Sequence, residues 1–510
     1  MSFDKKINST LISVYNKTGL DIIVKKLADL EVDIYSSGGT QIYIEQLNIQ
    51  CKSVESVTGY PSILNGRVKT LHPKIMGGIL SRRSNGNDAI DTAKYLIPTI
   101  DLVIVDLYPF DKAVDQNFTE QEIIEHIDIG GSALIRAAAK NYNDVVIISS
   151  IEQYNELFQI LESQNGVTSL EQRRNLAKKA FAISAYYDTK IFQYFDGGGN
   201  NFHDCLRVAE NINQTMRYGE NPHQRAMFFG NIESMFDKLN GKDLSYNNIL
   251  DVDAAINLIN EFSESTFIIV KHTNVCGVAC DNNLLKAWQK CLACDPISAY
   301  GGVIITNRTI TKDVAQEINS LFSDVIIAPN FSDEAIDILA TKKNRIILCQ
   351  KNTKLPTTSL RSALNGFLYQ DRDLKTELNN EYKIVTDTKP NQKEIESLVF
   401  ANKIAKHCKS TAIVLAKDNQ MLALGVGQTA RIDALKIAID RAKCFGFDIN
   451  NAVLASDGFF TFDDCVKLAN QEGIVSIIQP GGSIHDNEII DFCNKNNISM
   501  LFTGNRHLKL

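Results

Sequence analysis

Short apolar runs alternate with stretches of helical spacing along the first 150 residues. Residues 10–15 (TLISVY) read as a strand and Asn16-Lys17-Thr18-Gly19 as a turn. Residues 20–30 follow as a helix with Ile23, Leu27 and Leu30 on one side. Residues 32–35 are a second strand, running into Ser36-Ser37-Gly38-Gly39-Thr40 and another helix. Residues 102–110 (LVIVDLYPF) are a third, whose period of two places Leu102, Ile104, Asp106 and Tyr108 on one face. Asp128-Ile129-Gly130-Gly131-Ser132 opens a helix carrying Arg136 and Lys140 one turn apart, and 145–149 is a further strand. This alternation predicts an α/β fold with a mainly parallel sheet.

The second half is organised around 267–277 (FIIVKHTNVCG). Phe267, Ile268, Ile269 and Val270 form an unbroken apolar run, the pattern of a strand buried on both faces. Lys271 and His272 follow at once, then Thr273, Asn274 and a glycine at 277. Ligands bind beyond the carboxyl ends of strands in open α/β sheets. A lysine there can neutralise developing negative charge while a histidine moves a proton near neutral pH. The plainer reading is a surface Lys and a half-buried His closing a strand.

Residues 170–195 predict a long amphipathic helix that could pack on either domain. The stretch 196–201 (DGGGNN) is the clearest linker, and the domain boundary is expected there. Residues 217–224 form a polar, turn-rich loop, and Tyr246-Asn247-Asn248 precede a helix expected from about Asp251. A helix after Cys276 carries Trp288, Cys291 and Cys294. A zinc deaminase site needs His-x-Glu and Pro-Cys-x-x-Cys. Here Thr273 and Asn274 follow His272, and Lys290 replaces the proline, so these thiols read as core packing.

Composition narrows the classes. With 510 residues the chain has room for two to four domains, and its net charge of −7 argues against a general nucleic-acid binder. Any anionic substrate must then meet local positive clusters. No apolar run reaches the roughly 18 residues of a membrane span, and the N-terminus lacks a signal-peptide core, so a cytoplasmic protein is expected. Eleven cysteines, an odd number in a long chain, fit reduced thiols. Two clusters stand out. The turn at 36–40 offers backbone N–H groups and hydroxyls to a phosphate, or is a plain tight turn; its glycine spacing is neither a Walker nor a dinucleotide fingerprint. Residues 65–73 bring Arg67, Lys69 and His72 into one loop, which serves either a nucleotide or a solvated surface.

SGGT at 37–40, GRVKTLHP at 66–73, LYPF at 107–110, IDIGG at 127–131, RAAAKN at 136–141, RYGENPHQ at 217–224 and VKH at 270–272 occur in this order. Together they resemble the bifunctional AICAR transformylase/IMP cyclohydrolase family of purine biosynthesis, over essentially the whole chain. The resemblance implies a cyclohydrolase at 1–196, with a methylglyoxal-synthase-like doubly wound core over about 1–150. It also implies a transformylase at 202–510, built of two cytidine-deaminase-like subdomains without the metal. Residues 323–327 against 456–460 give a faint internal echo of such a repeat.

For the cyclohydrolase the resemblance implies Lys69 and Tyr108 in charge stabilisation and proton transfer, with Asp128 and Lys140 as an acid–base or orienting pair. Arg67 and Thr70 would lie beside the substrate. Ser37, Gly38, Gly39 and Thr40, with Lys17 and Thr18, would hold its 5′-phosphate. For the transformylase it implies His272 as base, Lys271 and Asn248 near the formyl oxygen, and Arg217, Tyr218, Asp324, Thr411, Arg431 and Arg506 in substrate binding. The implied substrates are AICAR, FAICAR and 10-formyltetrahydrofolate, with no metal or redox cofactor, no nucleic-acid or membrane partner, and a homodimer with shared transformylase sites. Three positions depart from the pattern: Val275 replaces Pro, Thr411 replaces Asn and Asp106 replaces Asn. Asp106 is expected to pair with Lys69 or Lys140, or to be partly protonated. A nucleotide-binding regulatory protein that has lost one activity is the rival reading, and intact Lys69, Tyr108, Lys271 and His272 speak against it.

Overall fold

A computed structural model describes residues 4–116, 118–197, 205–377 and 381–510. The chain divides into two units, Met1–Asn211 and Ile212–Leu510. Residues 198–201 of the expected linker lie outside the described residues.

In the first unit, β1 (Ser9–Ser13), α1 (Leu20–Asp29), β2 (Asp33–Ser36), α2 (Gly38–Gln46), β3 (Lys52–Ser53), β4 (Leu102–Val105), α3 (Ile129–Lys140), β5 (Val146–Ile148) and α4 (Leu170–Phe195) carry the architecture. The strands form one parallel sheet in the order β3-β2-β1-β4-β5. Leu102, Val103, Ile104 and Val105 are all buried, because helices cover both faces. The strand is shorter than its sequence suggests. It ends at Val105, so Asp106 and Tyr108 stand in the following loop and not on a strand face. Helix α4 packs on α3 and β5, within this unit.

The second unit is a twelve-stranded sheet made of two matching halves. The first half has β6 (Phe236–Asn240), α5 (Tyr246–Ile259), β7 (Thr266–Lys271), β8 (Asn274–Cys280), α6 (Leu284–Cys294), β9 (Val303–Thr306), β10 (Val325–Ala328) and β11 (Ile346–Gln350). The second repeats that order with β12 (Lys383–Ile384), α7 (Gln392–His407), β13 (Ile413–Lys417), β14 (Gln420–Gly425), α8 (Arg431–Cys444), β15 (Val453–Ser456), β16 (Ser476–Gln479) and β17 (Ser499–Phe502). The sheet order is β6-β11-β10-β9-β7-β8-β14-β13-β15-β16-β17-β12, so the hairpins β7–β8 and β13–β14 meet at the centre. Each half pairs its hairpin antiparallel to the first of three parallel strands. The echo between 323–327 and 456–460 does not follow this repeat. Asp324 precedes the second parallel strand of its half, whereas Ser456 ends the first of the other.

Alternation along the apolar runs explains the layers. Phe267 and Ile269 enter a core with Trp288 and Cys291, while Ile268 and Val270 enter a core that also takes Val414 and Ala416 from the second half. Ile413 and Leu415 face a third core under α8. Each fully buried side chain of this kind contributes about 1.5–3 kcal/mol. Cys294 is buried, its thiol donates to the Met421 carbonyl at 2.9 Å, and burial pushes its pKa up to about 12, as befits packing.

Candidate active sites

In the first unit the family motifs converge where strands hand over to helices. Ser37 is the N-cap of α2, so Gly38 and Gly39 present exposed first-turn N–H groups. Lys69 reaches the first of them: a Cβ at Gly38 would stand 3.6 Å from its Nζ. Asp128 caps α3, accepting from the Gly131 N–H at 2.6 Å, and a Cβ at Gly131 would sit 2.5 Å from the same carboxylate. Such a cap is worth about 1 kcal/mol. A Cβ at Gly130 would lie 3.4 Å from the Thr70 hydroxyl, which puts Thr70 at the same helix end. Burial pushes the Asp128 pKa up, with Asp106 raising it further and Lys69 opposing. Tyr108 stacks obliquely on Tyr15 at 5.2 Å, and burial, then Asp128, raises its phenol. Lys69, Thr70, Tyr108, Asp128 and the α2 N-terminus therefore form one cluster.

Other expected residues have different partners. Lys140 ends α3, and a helix of twelve residues is roughly 18 Å long, so Lys140 cannot pair with Asp128 in the same chain. It lines instead a cleft of about 640 Å³ with Arg136, Arg174 and Lys178. Thr40 is buried and its hydroxyl is used on the Val14 N–H (3.2 Å) and carbonyl (3.0 Å), so it shapes the turn without facing a ligand. Lys17 donates to the Val14 and Tyr15 carbonyls, the Thr18 N–H is taken by Asn16, and Arg67 pairs with Glu125. Asp106 bonds neither Lys69 nor Lys140. Its carboxylate accepts from the Tyr15 and Asn16 N–H groups, fixing the β1–α1 turn; burial raises its pKa against those bonds and nearby Lys17.

In the second unit Lys271 and His272 sit at the tip of the β7–β8 hairpin, not at a strand-to-helix crevice. The strand 274–280 was illegible because His272-Thr273 is no usual turn pair, yet both adopt left-handed backbone, with φ of 53° and 58°. The pair lines a cleft of about 430 Å³ with Asn274, Cys276, Asp295, Met421 and Arg441. The Lys271 ammonium donates to the Tyr300 carbonyl at 2.7 Å, and Arg441 pairs with the buried Asp295. One carboxylate has no site role in the sequence reading. Asp251, on α5, accepts from the N–H groups of His272 and Thr273, and Asp324 lies close enough to raise its pKa further beyond the effect of burial. The sequence carries no signal for such a contact, because nothing in His272-Thr273 marks a left-handed turn.

Asn248 is not ahead of a helix but in its first turn. Ser245 is the N-cap of α5, and Asn248 Oδ1 accepts from the Ser245 N–H and hydroxyl. Arg431 is committed: its guanidinium meets Asp457 at 2.8 Å and Ser456 at 2.9 Å. Thr411 follows Ser410, which donates to the same Asp457 at 2.6 Å. Arg217 is exposed over the Tyr218 ring, and Arg506 is exposed. Neither they nor Asp324, Thr411, Arg431 and Asn248 line the cleft. Among the described residues no group of three or more His, Cys, Asp or Glu side chains could hold a metal, and no helix is long and apolar enough to cross a membrane.

A family model described as AICARFT/IMPCHase bienzyme matches residues 138–441, and one described as MGS-like domain matches 19–133, on the five-stranded unit. The chain is 54% identical over 509 residues to the bifunctional purine biosynthesis protein PurH of Bacteroides thetaiotaomicron, with 100% of both chains covered. It is 45% identical to the PurH of Caldicellulosiruptor saccharolyticus and 42% to that of Aquifex aeolicus, each over 98% of this chain and 99% of the relative. A solved structure titled "Crystal structure of ForH" is 31% identical over 38% of this chain and 99% of its own, with a TM-score of 0.34. With a match of this extent, the chain belongs to the family of bifunctional AICAR transformylase/IMP cyclohydrolase proteins.

Proposed function

We propose that the chain catalyses the last two steps of IMP formation, one on each side of the 196–201 boundary. Residues 202–510 transfer the formyl group of 10-formyltetrahydrofolate to the amine of AICAR, and residues 1–196 close the product FAICAR to IMP with loss of water. The observation that carries this reading is the Lys271–His272 turn lining the 430 Å³ cleft of the second unit, together with the separate Lys69, Tyr108 and Asp128 cluster of the first. An aromatic amine is a poor nucleophile. His272 takes the amine proton as nitrogen bonds to the formyl carbon, Lys271 neutralises the oxygen, and the donor nitrogen leaves with a proton.

In ring closure the carboxamide nitrogen attacks the formyl carbon. Lys69 balances the developing charge, and Tyr108 and Asp128 move protons as water departs. The exposed N–H groups of Gly38 and Gly39 suit the substrate phosphate. Arg217, Tyr218 and Arg506 would act on nucleotide or folate anions in a homodimer, where sites are completed by the second copy. The exposed apolar residues Ile212, Met227 and Phe229 around the Arg217–Tyr218 segment are in keeping with such pairing. The test is incubation with AICAR and 10-formyltetrahydrofolate, following FAICAR and IMP separately. Formation of IMP through FAICAR supports both activities, and accumulation of FAICAR alone would remove the second.

A further inference from the structure

The two central hairpins match in register. In β7–β8, Lys271 pairs with Asn274 and Val270 with Val275; Cys276 is then skipped and Ile269 pairs with Gly277. In β13–β14, Lys417 pairs with Gln420 and Ala416 with Met421; Leu422 is skipped and Leu415 pairs with Ala423. Both turns have two central residues in left-handed backbone, the type I′ geometry: His272 and Thr273 in one, Asp418 (φ 49°) and Asn419 (φ 56°) in the other.

The residues filling those turns differ in kind. Asp and Asn tolerate positive φ, whereas a β-branched threonine there is an outlier. Among the described residues, no carboxylate accepts from the N–H groups of Asp418 or Asn419. In the first hairpin Asp251 accepts from both central residues, His272 N–H at 3.3 Å and Thr273 N–H at 2.6 Å. Asp251 lies six residues after the N-cap of α5, and the matching position of α7 is Ser397. The carboxylate is thus present only where the turn residues cannot hold the geometry themselves.

We propose that Asp251 is a positioning residue for formyl transfer, clamping the strained His272–Thr273 turn so that the imidazole and the Lys271 ammonium face the cleft. This rests on the reading of that pair as the transformylase machinery. An Asn-Gly turn would need no clamp but would delete the imidazole. The carboxylate is what lets a β-branched threonine follow the histidine in the turn.

Steady-state assay of full-length variants tests it, with FAICAR closure as an internal control. Asp251→Asn keeps the size but offers one oxygen to two N–H groups. It should lower kcat for formyl transfer about a hundredfold, the cost of misplacing a reacting group by about 1 Å. KM for AICAR should move less than about threefold, since ground-state binding is untouched. Adding Thr273→Gly relaxes the turn without restoring charge, and should recover kcat to within about tenfold of the parent. Asp418→Asn should leave both activities unchanged. Should Asp251→Asn alone not fold, the more stable double variant carries the test. A double variant that folds but stays a hundredfold slow would mean the charge of Asp251 is used directly, and would overturn the positioning role. Full activity of Asp251→Asn, with His272→Ala inactive, would overturn it too. An active His272→Ala would instead overturn the underlying reading of the pair.

Discussion

The two units build their candidate sites by opposite means. In the first, a parallel sheet delivers every strand end to one edge, so Gly38, Thr70, Tyr108 and Asp128 are gathered by topology. Their carriers are helix starts and short loops, geometries the chain adopts readily. In the second, Lys271 and His272 ride on the tip of an antiparallel hairpin, and the other family-pattern residues lie away from their cleft. A site at sheet ends comes with its neighbours, whereas a site on a hairpin tip must be supported one contact at a time.

The sharpest way to break this comparison is reciprocal substitution. His272→Ala should cut formyl transfer by roughly 10²–10⁴, the range for a lost general base, while FAICAR closure continues. Lys69→Ala should reduce closure by about 10²–10³ and spare formyl transfer. Separate assays of the two steps check this, and loss of both reactions from either change in folded protein would sink the two-site reading. The next largest effect concerns independence. Residues 1–196 expressed alone should fold and close FAICAR, since α4 packs inside the first unit; an insoluble or inactive fragment would show that its sheet needs the rest of the chain.

A smaller effect lies in pH. His507 is buried, which pulls its pKa down, but bonds to Asp373 and Glu377 outweigh this and hold it at about 9. Its folded value exceeds the unfolded one of about 6.5, so its stabilisation is complete below pH about 6.5 and lost as pH rises through about 9. Thermal melts should show the second unit's midpoint dropping at least about 2 °C across that window, and His507→Gln should flatten the drop. The smallest effect is expected at Asp106. Asp106→Asn weakens the clamp on Tyr15 and Asn16 without touching Lys69, so FAICAR closure should stay within about tenfold of the parent. A hundredfold fall at unchanged substrate affinity would make Asp106 catalytic.

What could be read in advance follows the same division. The parallel sheet announced itself because fully buried strands are short apolar runs between turn residues, unbroken at 102–105 and centred on Leu11 and Ile12 in the first strand. Beyond Val105 the apolar Leu107, Tyr108 and Phe110 prolonged the pattern, although they belong to a loop and a helix start. Helix α5 begins at Tyr246, ahead of the expected Asp251, because its capping box uses Asn248 where Glu or Gln is the usual signal. The Asp128–Lys140 pairing failed on length alone, since likeness to a family carries no distances. His272-Thr273 concealed a turn because the force that closes it comes from Asp251, about twenty residues earlier.

The meeting line of the two halves has a mechanical consequence. Across the centre of a twelve-stranded sheet the ladder narrows to one residue pair, Ala279 with Gln420, and one more bond from the Cys280 N–H to the Asn419 carbonyl. Tension across the sheet at that line cannot be borne by backbone bonding. It falls on the shared apolar layer and on side-chain rivets such as Gln420 to the Lys290 carbonyl and Cys294 to the Met421 carbonyl. Under load the sheet would part there first, as two intact six-stranded plates.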